Sequence, residues 1–124
     1  MHFHNYQTEA FKTMSIENAE DRFIYLILGL ASEAGEVADK VKKLIRDNPK
    51  TYGELMYFLH NGSPNEAINR FRDGIEKELG DVLWYISAIS TCLRLSLNEV
   101  AEANLYKLQS REERGVIGGS GDDR

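Results

Sequence analysis

Two stretches of the chain carry acidic residues at one shared spacing: Glu33 and Glu36 in "LASEAGEVADKVKKL" (residues 30–44), and Glu78 and Asp81 in "EKELGDVLWYI" (residues 76–86). Each pair is set among small and apolar residues rather than in a run of charge. Carboxylates three positions apart share one side of a helix. Four of them brought together would repel unless cations sat between them. Ligands that are all oxygen select hard cations such as Mg²⁺ or Mn²⁺ rather than zinc. Acids at a helix flank are more often simply solvated, so either pair alone decides nothing. The elements around them must turn the two pairs toward each other.

Apolar periodicity defines those elements. Asn5 to Met14 is expected to form a short first helix with Tyr6, Ala10 and Phe11 as its contacts. From Ala19 to Arg46 a stripe of Phe23, Ile27, Leu30, Ala34, Val37, Val41 and Leu44 predicts a long helix that stops before "DNP". Thr51-x-x-Glu54 reads as a capping box opening a brief helix through "ELMYFLH", followed by an "NGSP" turn. Ser63, Pro64 and Glu66 mark the start of a second long helix, which runs to about Leu95 on Ile75, Leu79, Val82, Ile86, Ile89 and Leu93. Ser96-x-x-Glu99 caps a last helix, "LNEVAEANLYKLQSREER". There is no strand pattern, so the fold class is all-α, an antiparallel bundle of about four to five helices. Residues 1–114 form one domain and "GVIGGSGDDR" (115–124) a glycine-rich, flexible tail.

At about 100° per residue, Glu33 and Glu36 lie roughly −60° and −120° from Leu30 at the stripe centre. Glu78 and Asp81 fall at the same offsets, roughly −60° and −120°, from Ile75. If the two long helices pack antiparallel through their stripes, equal-handed flanks share one side of the seam and the four carboxylates converge. Ala34 and Gly35 would permit the close approach. Lys40 and Lys43 lie on the same flank at roughly −80° and −140°. They are either i,i+4 partners, with Glu36 to Lys40 in the favoured orientation, or contacts for an anion held by the metal. Trp84 points roughly 180° from its stripe and must pack on another helix or another chain.

Bulk properties exclude several classes. A net charge of −5 argues against sequence-independent binding to a nucleic-acid backbone. Cys92 is the single cysteine, which forbids an intrachain disulfide and fits a reducing cytosol. The longest apolar run, "FIYLILGLA", is far short of a membrane span, and "MHFHNYQTEAF" has no signal-peptide pattern.

The stretches "GLASEAGEVADKVKK", "KELGDVLWYISAI" and "SLNEVAEANLYKLQSR", with "YQTEAFKT" ahead of them, resemble the MazG-like all-α nucleoside triphosphate pyrophosphohydrolases over about residues 5 to 114. The resemblance implies Mg²⁺-dependent hydrolysis of a (deoxy)nucleoside triphosphate at the α–β phosphoanhydride, giving monophosphate and pyrophosphate. It places Glu33, Glu36, Glu78 and Asp81 as metal ligands, with Mn²⁺ as a substitute ion. Glu36 is preferred as the group that orients or deprotonates the attacking water, with Glu78 also catalytic. It further aligns Asn104 and Lys107 with an asparagine–lysine pair at the metal and phosphate end of the site, and implies a homodimer or homotetramer. The segment "NPKTYGELMYFLHNGSPNEA" is longer than the simplest members need, and reads as a lid or an oligomer contact.

Arg111 follows Asn104 and Lys107 along one side of the last helix, so these residues are either phosphate contacts or favourable C-terminal charges. Tyr85, roughly −80° from the stripe centre, either meets the base or sugar or is a half-buried core tyrosine. His2 and His4 lack a third ligand, and His60 reads as a loop residue. The tail follows no strand, so it is not a P-loop. Two other functions fit the same pattern: pyrophosphohydrolysis of another nucleotide such as phosphoribosyl-ATP, or a silent helical interaction module.

Overall fold

Three asparagines and one serine start the four longer helices of the computed structural model, which describes residues 1–123. After a short α1 (Phe3–Phe11), the Asn18 side chain accepts from Asp21 N–H and opens α2 (Ala19–Asp47). Asn48 accepts from Thr51 N–H and opens α3 (Pro49–Asn61). Asn65 accepts from Ile68 N–H and opens α4 (Glu66–Cys92), and Ser96 accepts from Glu99 N–H and opens α5 (Leu97–Glu113). Each such cap stabilises its helix by about 1 kcal/mol. The described residues contain no strand.

Two caps differ from the sequence expectation. Thr51 does not cap α3, because Asn48 ends α2 and then caps α3 with Pro49 in the first turn. That proline has no N–H to satisfy, so "DNP" both stops one helix and starts the next. Asn65, rather than Ser63, caps α4 because its carboxamide reaches Ile68 N–H at 2.9 Å. α1 begins two residues earlier than expected, at Phe3, and ends at Phe11. α4 stops at Cys92, short of Leu95, because Arg94 adopts φ 57° and Leu95 N–H closes back on Ser90 O at 2.8 Å. This 6→1 closure usually uses glycine in the left-handed position. His60 lies in the last turn of α3, on a helix and not in a loop.

α2 and α4 form the main pair. α1 and α5 pack on α4, and α3 bridges α2 and α4. Gln7 ties three elements together: its amide donates to Thr91 Oγ1 (3.0 Å) and Leu95 O (2.9 Å), and its oxygen accepts from Leu97 N–H (2.9 Å). Trp84 finds its partner within the chain, donating to Ala10 O (3.1 Å) and Thr13 Oγ1 (2.9 Å) at the end of α1.

The α2 seam is rotated from the expected stripe. Leu26 is fully buried, and Leu30, Glu33, Val37, Lys40 and Leu44 are half-buried, while Phe23, Ile27 and Val41 remain exposed. The buried set centres roughly 40° toward the acidic flank from Leu30. Glu33 therefore lies within the helix contact rather than beside it. Gly35 is not the close-approach residue, since a Cβ there would meet nothing within 4 Å, and Ala34 is exposed.

Candidate active site on the α2–α4 seam

The two long helices run in opposite directions with one residue's advance on α2 matched by one residue's retreat on α4. Gly29 meets Tyr85, Glu33 meets Asp81 and Glu78, and Lys40 lies over Gly74. Carboxylate oxygens of Glu33, Glu78 and Asp81 lie within 4.8 Å of one another. Among the described residues, no other group of three or more Asp, Glu, His or Cys side chains is so arranged. Glu36 is exposed and outside this group, although its charge acts on Glu33.

This donor set fits a divalent cation of the hard class. It offers carboxylate oxygens only, from two helices, within 4.8 Å of one another. The electrostatics agree. The Glu33 carboxyl is held above its ordinary value of 4.5, first by burial and then by the charges of Asp81, Glu78 and Glu36. Such a group favours the folded chain when protonated: its contribution is complete below the unfolded value and is lost as pH rises through the raised one. Glu33→Gln should therefore raise the melting temperature of chelator-treated protein at about pH 7 and change it little at about pH 4. A lower melting temperature at the higher pH would contradict mutual repulsion.

The cluster has chemically distinct ends. On one side the Lys40 ammonium reaches Glu78 at 2.9 Å. Lys40, Lys43 and Arg70 line a hollow of about 260 Å³ floored by Leu44, Phe71 and Gly74. Lys43 pairs with Asp39, whose carboxyl is lowered to about 2 by hydrogen bonds from Lys42 and Lys43. On the other side Tyr85 Oη bonds Tyr25 Oη at 3.1 Å, and the Trp84 ring meets Tyr85 edge-on at 4.9 Å. The Tyr85 hydroxyl is pushed up to about 12, first by that hydrogen bond and then by burial and the nearby charges of Tyr25, Glu33 and Asp81. Tyr6 on α1 is also raised, by burial and by Asp81. These hydroxyls stay protonated at neutral pH and remain hydrogen-bond donors.

The residues predicted on α5 sit differently. Asn104 is exposed. Lys107 and the buried Arg111 meet the tail instead: Asp122 Oδ1 lies 3.4 Å from Lys107 and 3.3 Å from Arg111, which also donates to Gly121 O and Asp122 O. Through these contacts the tail residues Gly121 and Asp122 lie against α5. His2 and His4 join no metal-binding group among the described residues.

Sequence reasoning gave Tyr6 a packing role only and missed Tyr25, Gly29 and Arg70. Gly29 alone left a signal, as a glycine inside an otherwise regular long helix.

Residues 22–116 match the MazG nucleotide pyrophosphohydrolase domain. Gene 37 protein of Mycobacterium phage L5 is 39% identical over 129 residues, an alignment covering all of both chains. No solved structure matches the chain. No helix among the described residues is long and apolar enough to cross a membrane.

Proposed function

The chain belongs to the MazG nucleotide pyrophosphohydrolase family, and from that premise we propose that it hydrolyses a (deoxy)nucleoside triphosphate at the α–β phosphoanhydride in a Mg²⁺-dependent reaction. The observation that carries this reading is the order of side chains along the seam: tyrosine hydroxyls, then the carboxylate cluster, then lysines and an arginine. A nucleoside triphosphate has the matching order, an aromatic base and hydroxylated sugar at one end and a polyanion at the other. The phosphates lie toward Lys40, Lys43 and Arg70, and the nucleoside toward Tyr85 and Tyr25.

Glu33, Glu78 and Asp81 would hold the cation, with Glu36 completing the set from the exposed side; Mn²⁺ satisfies the same ligands. The cation, when bound, supplies charge stabilisation on the phosphate oxygens and lowers the pKa of a coordinated water. Glu36, exposed and one turn from Glu33, would also accept a proton from the attacking water as it adds to the α-phosphorus. The α–β bridging oxygen then leaves with pyrophosphate. Lys40 exchanges Glu78 for substrate phosphate. Asn104 serves the phosphate end from its exposed position, and Lys107 and Arg111 join it when Asp122 and Gly121 release them.

We further assign the chain a cytosolic setting and a homo-oligomer, dimer or tetramer. The exposed apolar side chains of α2 and α4, Ile27 and Leu79 among them, support the oligomer.

The test is product analysis after incubation with a panel of nucleoside triphosphates, phosphoribosyl-ATP and Mg²⁺. Monophosphate with pyrophosphate is the expected outcome, and chelation should abolish it. Diphosphate with orthophosphate would overturn the choice of bond, turnover of phosphoribosyl-ATP alone would reassign the substrate, and no turnover of any nucleotide would favour the silent module.

A further inference from the structure

We propose that Gly29 is a positioning residue for nucleotide binding: it is the notch in α2 that seats the Tyr85 ring beside the carboxylate cluster. This assignment rests on the pyrophosphohydrolase reading above. A Cβ built on Gly29 would lie 2.0 Å from Tyr85 Cε1, 2.3 Å from Cζ and 2.7 Å from the hydroxyl oxygen. No side chain but hydrogen fits there while the ring keeps its place. Glycine inside a helix is unfavourable relative to alanine. The backbone supplies no reason for it, because the positive-φ glycines are Gly62, Gly115, Gly119 and Gly121, and Gly29 is not among them. The ring of Tyr85 is the reason.

The ring can swing aside only by giving up its own contacts. The Trp84 ring stands edge-on to it at 4.9 Å and is itself held to the end of α1 through Ala10 O and Thr13 Oγ1. Tyr25 faces it at 6.0 Å between centroids, with the two hydroxyls 3.1 Å apart. A methyl group at position 29 must therefore break the Tyr25–Tyr85 hydrogen bond or drive the ring off α2.

The placement matters for substrate because Gly29 is one turn before Glu33, and Tyr85 is one turn after Asp81. One turn is about 5.4 Å along the helix. A nucleotide whose phosphates run from the carboxylate cluster toward Lys40 has its sugar and base displaced by about this distance the other way, beside Tyr85. Gly29 touches neither substrate nor metal in this scheme, and it acts through Tyr85 alone.

Gly29→Ala should raise KM for the nucleoside triphosphate about tenfold with kcat nearly unchanged, the pattern of lost uniform binding. Trp84, the single tryptophan, should report the displaced ring as a change in emission without any substrate. The double variant Gly29→Ala/Tyr85→Leu should bind no more weakly than Tyr85→Leu, since the ring that the methyl group strikes is gone. Circular dichroism checks the folding of each variant. An active wild type whose Gly29→Ala variant keeps both KM and Trp84 emission would overturn the assignment, as would a KM penalty that persists undiminished in the Tyr85→Leu background. A wild type inactive on every nucleotide would sink the parent reading and this one with it, whereas the first two results refute Gly29 alone.

Discussion

Glu78→Gln is expected to lower Mg²⁺-dependent turnover by at least about 100-fold, equivalent to about 2.7 kcal/mol in the barrier, with helical content and melting temperature close to wild type. The cause of the loss is local. Glu78 is one of three groups whose oxygens lie within 4.8 Å of one another, and an amide oxygen is a far weaker ligand for a hard cation than a carboxylate. Lys40, paired with Glu78 at 2.9 Å, would then face a neutral partner and lose the charge that aims it along the seam. The fold is spared for equally local reasons. Glutamine has the same shape, its amide oxygen still accepts from Lys40, and removing one negative charge relieves the repulsion that raises the Glu33 carboxyl. Thermal melts with and without Mg²⁺ separate these effects: the wild type should gain stability on adding the ion, and Glu78→Gln should gain little. Near-normal turnover by the variant would sink the metal assignment.

Legibility of the site in the sequence depends on which facts are carried by a single helix. Equal offsets of Glu33/Glu36 and Glu78/Asp81 are properties of two isolated helices, so periodicity puts both pairs on one side of the seam once antiparallel packing is assumed. The depth of each carboxylate in the contact is a property of the pair. Rotation of the seam draws Glu33 inward and leaves Glu36 exposed. The tyrosine end is illegible for the same reason: Tyr25 carries no spacing signal, and Gly29 gains meaning only when Tyr85 lies across it. Helix ends divide likewise. Ser96 and Gly115 terminate α5 by the usual chemistry, with Gly115 at φ 68° and Val116 N–H closing on Arg111 O. At the end of α4 the left-handed position is taken by Arg94, whose φ of 57° no composition rule announces.

The same rotation leaves half of the apolar stripe without a partner, and this predicts the assembly. On α2, Phe23, Ile27, Val41 and Ile45 lie roughly +20° to +60° from Leu30, opposite the acidic flank. They are exposed, Ile27 at 45%, and Leu79 at roughly +40° on α4 is 53% exposed. Antiparallel packing puts these flanks on one face of the α2–α4 layer. The accessible surface of the chain, 8984 Å², is about a third above the roughly 6,700 Å² expected for a folded chain of 14.1 kDa. The excess is of the size that an obligate interface covers. A second copy laying its own α2–α4 layer on this face would complete a four-helix core and leave both carboxylate clusters on the outer flanks. The wild type should therefore sediment as a dimer or tetramer at micromolar concentration. Ile27→Glu combined with Leu79→Glu should yield monomers, because burying unpaired carboxylates costs at least about 3 kcal/mol, more than a hundredfold in association. Those monomers should keep helical signal but melt earlier, since among the described residues Leu26 and Ile68 are the large apolar side chains fully buried within one chain. Analytical ultracentrifugation decides the matter: a wild type running at 14.1 kDa would show that the exposed face serves something other than a second copy.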